Sequence, residues 1–301
     1  DWQLYSITYL VNVGFVFFPS WFFQGIERLT QTAIFNFFTK LIFAAIVIIL
    51  IKEENDFSIY VLGISLSQIT VGIIAFVYCI YRYKIKIIAI SLRRVFFFLK
   101  QGGILFLSSI TINLYTTTNL ILLGFFTSEL EYGYFSAALK IALVTHSLII
   151  IPLGITLFPH ITKKINQSKE EGLRTLLKYL RWVSIATFIM SSFIFFFAEE
   201  LIVLLFGSKF LSGIYFLKIM AFMPFVSGIN NILSVQGLLN LRKEKEYLYI
   251  TIGTLFLSLL LNFLLLPKYG AMGTAIIQLS CEVFMVLLAA YCLFMIKRKM
   301  R

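Results

Sequence analysis

The sequence predicts an all-α membrane protein that crosses the bilayer many times, and three observations predict it. Hydrophobic residues make up 60% of the 301-residue chain and charged residues only 13%, roughly half the charged share of a soluble domain, whose surface must face water. The mean hydropathy of +0.93 implies more apolar surface than one globular core of this length can hide, so lipid has to act as part of the solvent. Most charges, finally, sit in short clusters between apolar runs, and the clusters alternate in character along the chain, as topology signals do.

Nine apolar runs are long enough to span, each needing about 20 residues of helix. The first, 3–23, carries Pro19 and ends on Gln24-Gly25-Ile26-Glu27-Arg28. The second, 33–51, stops at Lys52-Glu53-Glu54-Asn55-Asp56, and the third, 57–81, at Arg82. The fourth, 102–126, follows Lys100 and stops short of Glu129; the fifth, 132–158, holds Lys140, His146 and Pro152. The sixth and seventh, 181–198 and 213–239, flank Glu199 and Glu200, and the seventh contains Pro224. The eighth and ninth, 247–266 and 270–296, are parted by the turn signal Pro267-Lys268-Tyr269-Gly270.

One set of connections is basic: Arg28 and Lys40, then Arg82 to Lys100, Lys163 to Arg181, Arg242 to Lys245, and the tail Lys297-Arg298-Lys299-Met300-Arg301. The other set is short and acid-leaning, and the two alternate without exception. The positive-inside rule places the basic set and the C-terminus in the cytoplasm, with Asp1 on the outer side. The net charge of +12 is therefore topology signal and attraction to membrane lipids rather than a nucleic-acid surface. Cys79, Cys281 and Cys292 all lie in apolar runs, which reads as small buried hydrophobes and implies no disulfide framework. No metal-ligand spacing stands out.

A weak internal repeat organises the runs. Gln24-Gly25 recurs as Gln236-Gly237 at an offset of 212 residues, each at the basic end of a run, and the same offset carries the third run onto the ninth. Same-orientation duplication is a transporter architecture. Residues 1–100 then read as the C-terminal half of a first lobe and 101–301 as a complete second lobe of six helices. The repeat leads us to expect about 110 further residues upstream, and about twelve helices in two lobes for the whole protein.

The run Phe18-Pro19-Ser20-Trp21-Phe22-Phe23-Gln24-Gly25-Ile26-Glu27 resembles the signature of bacterial O-antigen and polysaccharide flippases of the Wzx type. These belong to the multidrug/oligosaccharidyl-lipid/polysaccharide exporter superfamily. Thr118 to Gly124, Tyr132 to Ile141, Leu157-Phe158-Pro159, Leu204 to Gly207, and Leu261-Asn262 through Gly273 are similar as well, in order and at matching spacing. The resemblance implies a twelve-helix, two-lobed bundle in the bacterial inner membrane. It implies flipping of undecaprenyl-pyrophosphate-linked oligosaccharide, an O-antigen or capsule repeat unit, to the periplasmic leaflet by alternating access. A polymerase and a chain-length regulator are then pathway partners, with no cofactor beyond a Na⁺ or H⁺ gradient. Asn119 departs from the pattern, standing where many relatives carry Asp.

A flippase must hold a pyrophosphate and sugars at membrane depth, where ionisable groups cost roughly 2.5–3.5 kcal/mol and are paired or functional. Lys140 lies inside the fifth run, and Gly133, Ser136, Lys140 and Ser147 fall on one helical face, because these spacings stay within a narrow arc. Lys140 and Ser136 are candidate substrate contacts; the structural alternative is a lysine bonded to carbonyls or an acid. Asn113, Thr117, Asn119 and Gln236 are candidates for sugar hydroxyls, against plain interhelical hydrogen bonding. Glu282, near the middle of the ninth run, and His146 are candidates for ion coupling or structural pairing. Gln24, Glu27 and Arg28 form a candidate gate, or an ordinary solvated loop. Lys218 is near enough to the outer end to snorkel.

Rival readings are a multidrug/cation antiporter or a lipid II flippase of the same superfamily, and, from other classes, a polysaccharide polymerase, an acyltransferase or a channel. Runs one to five offer no mid-depth acid for a drug cation, the outer connections are short for a polymerase, and only His146 and His160 are available for acyl transfer. No selectivity-filter motif is visible.

Overall fold

Helix breaks along this chain fall where proline and glycine chemistry dictates them. The computed structural model describes residues 2–26, 28–53, 56–86 and 90–299, with no strand among them. The chain divides into two compact units, Asp1–Ser91 and Leu92–Arg301.

In the first unit the leading apolar run forms α1 (Trp2–Tyr9), α2 (Val11–Phe17) and α3 (Ser20–Gly25). Phe18 is extended, with φ −79° and ψ 105°, since the ring of a following proline disfavours helical backbone. Two long helices, α4 (Leu29–Leu50) and α5 (Phe57–Tyr83), complete the unit. α2 lies against α5 through Gly14 and Gly72, where a Cβ on Gly72 would sit 2.5 Å from the Gly14 carbonyl oxygen. Small residues at such crossings let two backbones touch and gain dispersion energy that lipid cannot supply. Ser65 Oγ donates to the Ile7 carbonyl at 2.7 Å, tying α1 to α5. Phe18 and Phe23 are buried; Phe23 stacks on Phe35 with centroids 6.0 Å apart and stands edge-on to Tyr83 at 6.5 Å. The aromatic members of the Phe-Pro-Ser-Trp-Phe-Phe motif thus divide, with Phe18 and Phe23 forming core and Trp21 exposed.

The second unit comprises α6 (Leu92–Phe126), α7 (Glu129–Gln167), α8 (Lys169–Phe196) and α9 (Ala198–Phe206). A 3₁₀ turn (Ser208–Gly213), α10 (Ile214–Met220), α11 (Met223–Asn230) and a wide π-helical stretch (Asn231–Leu239) follow. The last helical run, α12 (Glu244–Lys299), is broken at Gly270, whose φ of 49° and ψ of −129° are non-helical. Among the described residues eight stretches are long and apolar enough to cross a membrane. Because the Gly270 break splits the last of them in two, the described residues provide nine crossings. This is an all-α, multi-pass membrane protein.

Two boundaries differ from the sequence reading. α6 begins at Leu92 rather than 102, so its first turns belong to the second unit. The basic stretch 163–181 is not a loop: α7 runs to Gln167 and α8 starts at Lys169, with Ser168 alone between them. Lys and Glu are good helix formers, and the exposed pairs Lys164–Glu171 and Arg174–Glu170 (2.8 Å, one turn apart) support the helix ends. The break in the seventh run falls at Ala221–Phe222, immediately before α11, whose second residue is Pro224.

Two apolar cores hold this unit. One, around Leu123, Phe135, Leu217, Met220 and Leu266, lies toward the acidic connections; the other gathers Tyr115, Ile161, Leu176, Ile232, Ile277 and Met285. Outward residues such as Phe125 and Phe263, both 81% exposed, are the lipid-facing complement.

Candidate functional site

The second core is interrupted by polar groups that helical spacing brings to one place. α6 supplies Tyr115, α7 supplies His146, α11 and the π-helical stretch supply Ser227, Asn230 and Asn231, and α12 supplies Glu282. Together they line a cavity of about 360 Å³. The π-helical stretch widens the backbone where the cavity opens, a distortion that recurs at functional sites.

Glu282 is half-buried on α12. Its carboxylate accepts a hydrogen bond from Asn230 Nδ2 at 3.1 Å, and Asn230 Oδ1 accepts one from Ser234 Oγ at 2.7 Å. Met285 Sδ takes weak contacts from Asn230 Nδ2 at 3.8 Å and from the Tyr115 hydroxyl at 3.7 Å. Among the described residues no Lys, Arg or His forms an ion pair with Glu282. A carboxylate at this depth without a protein cation can hold a proton or a small cation between itself and the surrounding amide and hydroxyl groups.

Gln236 braces the site from behind. It is fully buried; its Nε2 donates to the Gly154 carbonyl of α7 at 3.1 Å and lies 3.4 Å from Asn231 Oδ1. Its own carbonyl accepts from Asn240 Nδ2 at 3.0 Å, and Thr162 Oγ1 donates to Asn240 Oδ1. The widened helix is thereby fastened to α7 by side chains.

Asn119 lies elsewhere. It is completely buried between α6 and α12, where Oδ1 accepts from Ser258 Oγ at 2.8 Å and from Asn262 Nδ2 at 2.6 Å. Asn119 Nδ2 and Asn262 Oδ1 have no hydrogen-bond partner among the described residues.

The remaining candidates scatter. Lys140 is exposed on α7 with Ser136 half-buried one turn away, and neither lines the cavity around Glu282. Asn113 and Thr117 are exposed on α6, and Asn113 Nδ2 donates to the Ser109 carbonyl at 2.8 Å. Gln24 and Arg28 are exposed, and Glu27 lies outside the described residues. Lys218 Nζ sits 5.8 Å above the Phe195 ring. Sequence reasoning brought Glu282 and His146 forward but missed Tyr115, Ser227, Ser258 and Asn262. Tyr115 and Asn119, like Ser258 and Asn262, are four residues apart and so share a helix face, which was the available signal.

A family model described as "Polysaccharide biosynthesis protein" matches residues 1–165. A relative from Escherichia coli (strain K12), named "Putative O-antigen transporter", is 27% identical over 270 residues, covering 90% of this chain and 65% of its own length. A relative from Shigella dysenteriae with the same name is 29% identical over 285 residues, covering 94% of this chain and 70% of its own. The chain thus spans about two thirds of the length of these curated relatives.

Proposed function

Because the chain belongs to the polysaccharide biosynthesis protein family, we propose that it serves in the transport of O-antigen or a related polysaccharide precursor across the bacterial inner membrane. The substrate in this reading is an undecaprenyl-pyrophosphate-linked oligosaccharide, flipped from the cytoplasmic to the outer leaflet by alternating access, with the C-terminus cytoplasmic and no covalent chemistry on the substrate. The observation that carries it is the similarity of nearly the whole chain to two proteins named as O-antigen transporters. The polytopic helical architecture supports it as well.

Within this reading Lys140 contacts the pyrophosphate, supported by its exposure on a membrane-depth helix face beside Ser136. Glu282 binds the coupling ion, Na⁺ or a proton, supported by its position in the cavity, its amide partner Asn230 and the lack of an ion-paired cation among the described residues. Only an ion that binds one conformation better than the other can drive the cycle.

The test is complementation of a strain lacking its own O-antigen transporter, followed by an assay of lipid-linked oligosaccharide flipping in vesicles under an imposed Na⁺ or pH gradient. Restored surface O-antigen and gradient-driven flipping are expected. Normal membrane insertion with continued accumulation of the lipid-linked precursor inside the cell would refute the assignment.

A further inference from the structure

Away from this cavity, a recess opens in the second unit between the first turns of α8 and the end of α12, where that unit's basic connections lie. It has a volume of about 760 Å³ and is walled by Lys169, Glu170, Leu173, Arg174, Leu177 and Lys297. Its charge is unbalanced. Arg174 Nη2 and Glu170 Oε1 neutralise each other at 2.8 Å, whereas Lys169 and Lys297 form no ion pair among the described residues. Two positive charges on two different helices are left facing one recess.

The second property is a gradient of polarity along α8. Leu173 and Leu177 share the face of Lys169, being four and eight residues on, so they lie about 6 and 12 Å further along the helix axis. On that face the direction leads to Leu180 and the apolar part of α8, Lys178 and Arg181 falling on other sides of the helix, and Leu177 is 51% exposed. Lys297 likewise follows directly on the apolar run of α12. A ligand that satisfies all of this carries negative charge at the lysine level and hydrocarbon below it. A free anion would use the lysines and leave the leucines uncovered. A zwitterionic lipid would bring its own cation against the two lysines.

We propose that this recess seats the headgroup of an anionic phospholipid from the leaflet facing the basic connections. The phosphate lies between Lys169 and Lys297, and an acyl chain runs down past Leu173 and Leu177. Basic pockets between membrane helices hold acidic headgroups in this way, through charge attraction over a short distance and apolar contact below it. The bound lipid bridges α8 and α12, which makes it a structural partner at this end of the second unit.

The experiment is native mass spectrometry of the full chain in detergent, titrated with phosphatidylglycerol or phosphatidylcholine. Each basic residue near an anionic headgroup is worth about fivefold in affinity, so K169Q/K297Q is expected to retain phosphatidylglycerol about 30-fold less well. K268Q, at the opposite end, is expected to match the parent, and phosphatidylcholine to bind weakly throughout. Leu177→Gln is expected to weaken the lipid with both lysines in place. Should the double variant fail to fold, the single lysine variants decide the matter at about fivefold each. Equal retention of phosphatidylglycerol by the lysine variants overturns the proposal, as does equal binding of phosphatidylcholine by the parent. Displacement of the lipid by millimolar inorganic phosphate, with no effect of Leu177→Gln, would reduce the recess to a simple anion site and also overturns it.

Discussion

Glu131, in the first turn of α7, accepts the backbone N–H of Ala271 through its Oε1 at 3.1 Å, and so caps the helix that restarts after the Gly270 break. The capping carboxylate comes from 140 residues earlier in the chain. Its own backbone N–H donates to Ser128 Oγ at 3.2 Å, the first half of a capping box whose second half has been redirected to another helix. Gly270 is indispensable to this arrangement: φ is +49°, and a Cβ would lie 3.0 Å from Glu131 Oε1 and 3.2 Å from Thr127 Cγ2. Gly270→Ala is expected to destabilise the protein by about 1–3 kcal/mol through backbone strain and crowding. Glu131→Ala is expected to cost about 1 kcal/mol, the usual worth of a helix cap, with Glu131→Gln between it and the parent. Thermal unfolding in detergent measures the order.

The Gly14–Gly72 crossing makes a sharper prediction. A methyl group at 72 would meet the Gly14 carbonyl oxygen at 2.5 Å, with backbone rather than a flexible side chain as the obstacle. Gly72→Ala is therefore expected to separate α2 from α5 and cost roughly 1–3 kcal/mol, read as lower yield of folded protein and a lower unfolding temperature. Gly25→Ala is the control, since no atom of the described residues lies within 4 Å of a Cβ there.

Asn119 is expected to behave as a structural residue. Replacing it by Leu removes the acceptor for Ser258 and Asn262 while both stay buried, at a cost of about 1–3 kcal/mol. Thr117→Ala, on the exposed side of the same helix, is expected to change stability by less than about 0.5 kcal/mol. Equal effects of the two on unfolding temperature would refute the distinction.

The turn before α5 gives a pH-dependent signature. Asp56 Oδ2 accepts the N–H groups of Lys52 at 2.9 Å and Glu53 at 3.1 Å, and these bonds, Lys52's first, hold its carboxyl below the ordinary range. A carboxylate whose folded pKa is depressed contributes stability above its unfolded pKa and loses it as pH falls through the folded value. Protection of the Lys52 and Glu53 amides, normalised for intrinsic exchange, is thus expected to be full near neutrality. It is expected to fall below the usual carboxylate range, and Asp56→Ala to abolish the pH dependence.

How much of this was legible in the sequence differs from residue to residue. The nine spans were, because an unpaired polar backbone in lipid leaves helix as the only local solution, and the turn at Pro267-Lys268-Tyr269-Gly270 announced its own break. The hairpin at Ser168 was not, since its basic stretch satisfies both loop composition and helix propensity, and the ion pairs that decide the matter depend on the fold. Thr117 and Asn119 are both sequence candidates for sugar hydroxyls. Two residues apart, however, they point about 160° from each other, and the structure sets one outward and the other against α12. Glu282 stood out by depth alone, but its partner Asn230 is 52 positions away, a pairing that only tertiary structure supplies.

The proposed transport cycle separates its two charged candidates by kinetics. If Lys140 attracts the pyrophosphate, Lys140→Ala loses a charge-assisted contact worth about 1.5–3 kcal/mol, which corresponds to roughly a 10- to 150-fold rise in the apparent KM for lipid-linked oligosaccharide. The dependence on the ion gradient should survive. Glu282→Gln keeps the shape and the acceptor for Asn230 but removes the charge that would hold a coupling cation. Its apparent KM is expected to stay near the parent's, while acceleration by an inward ion gradient disappears. A substrate role for Glu282 predicts the opposite pattern, with KM raised and gradient dependence intact. Flipping assays in vesicles, run on both variants with and without the gradient, therefore decide which residue serves the substrate and which the ion.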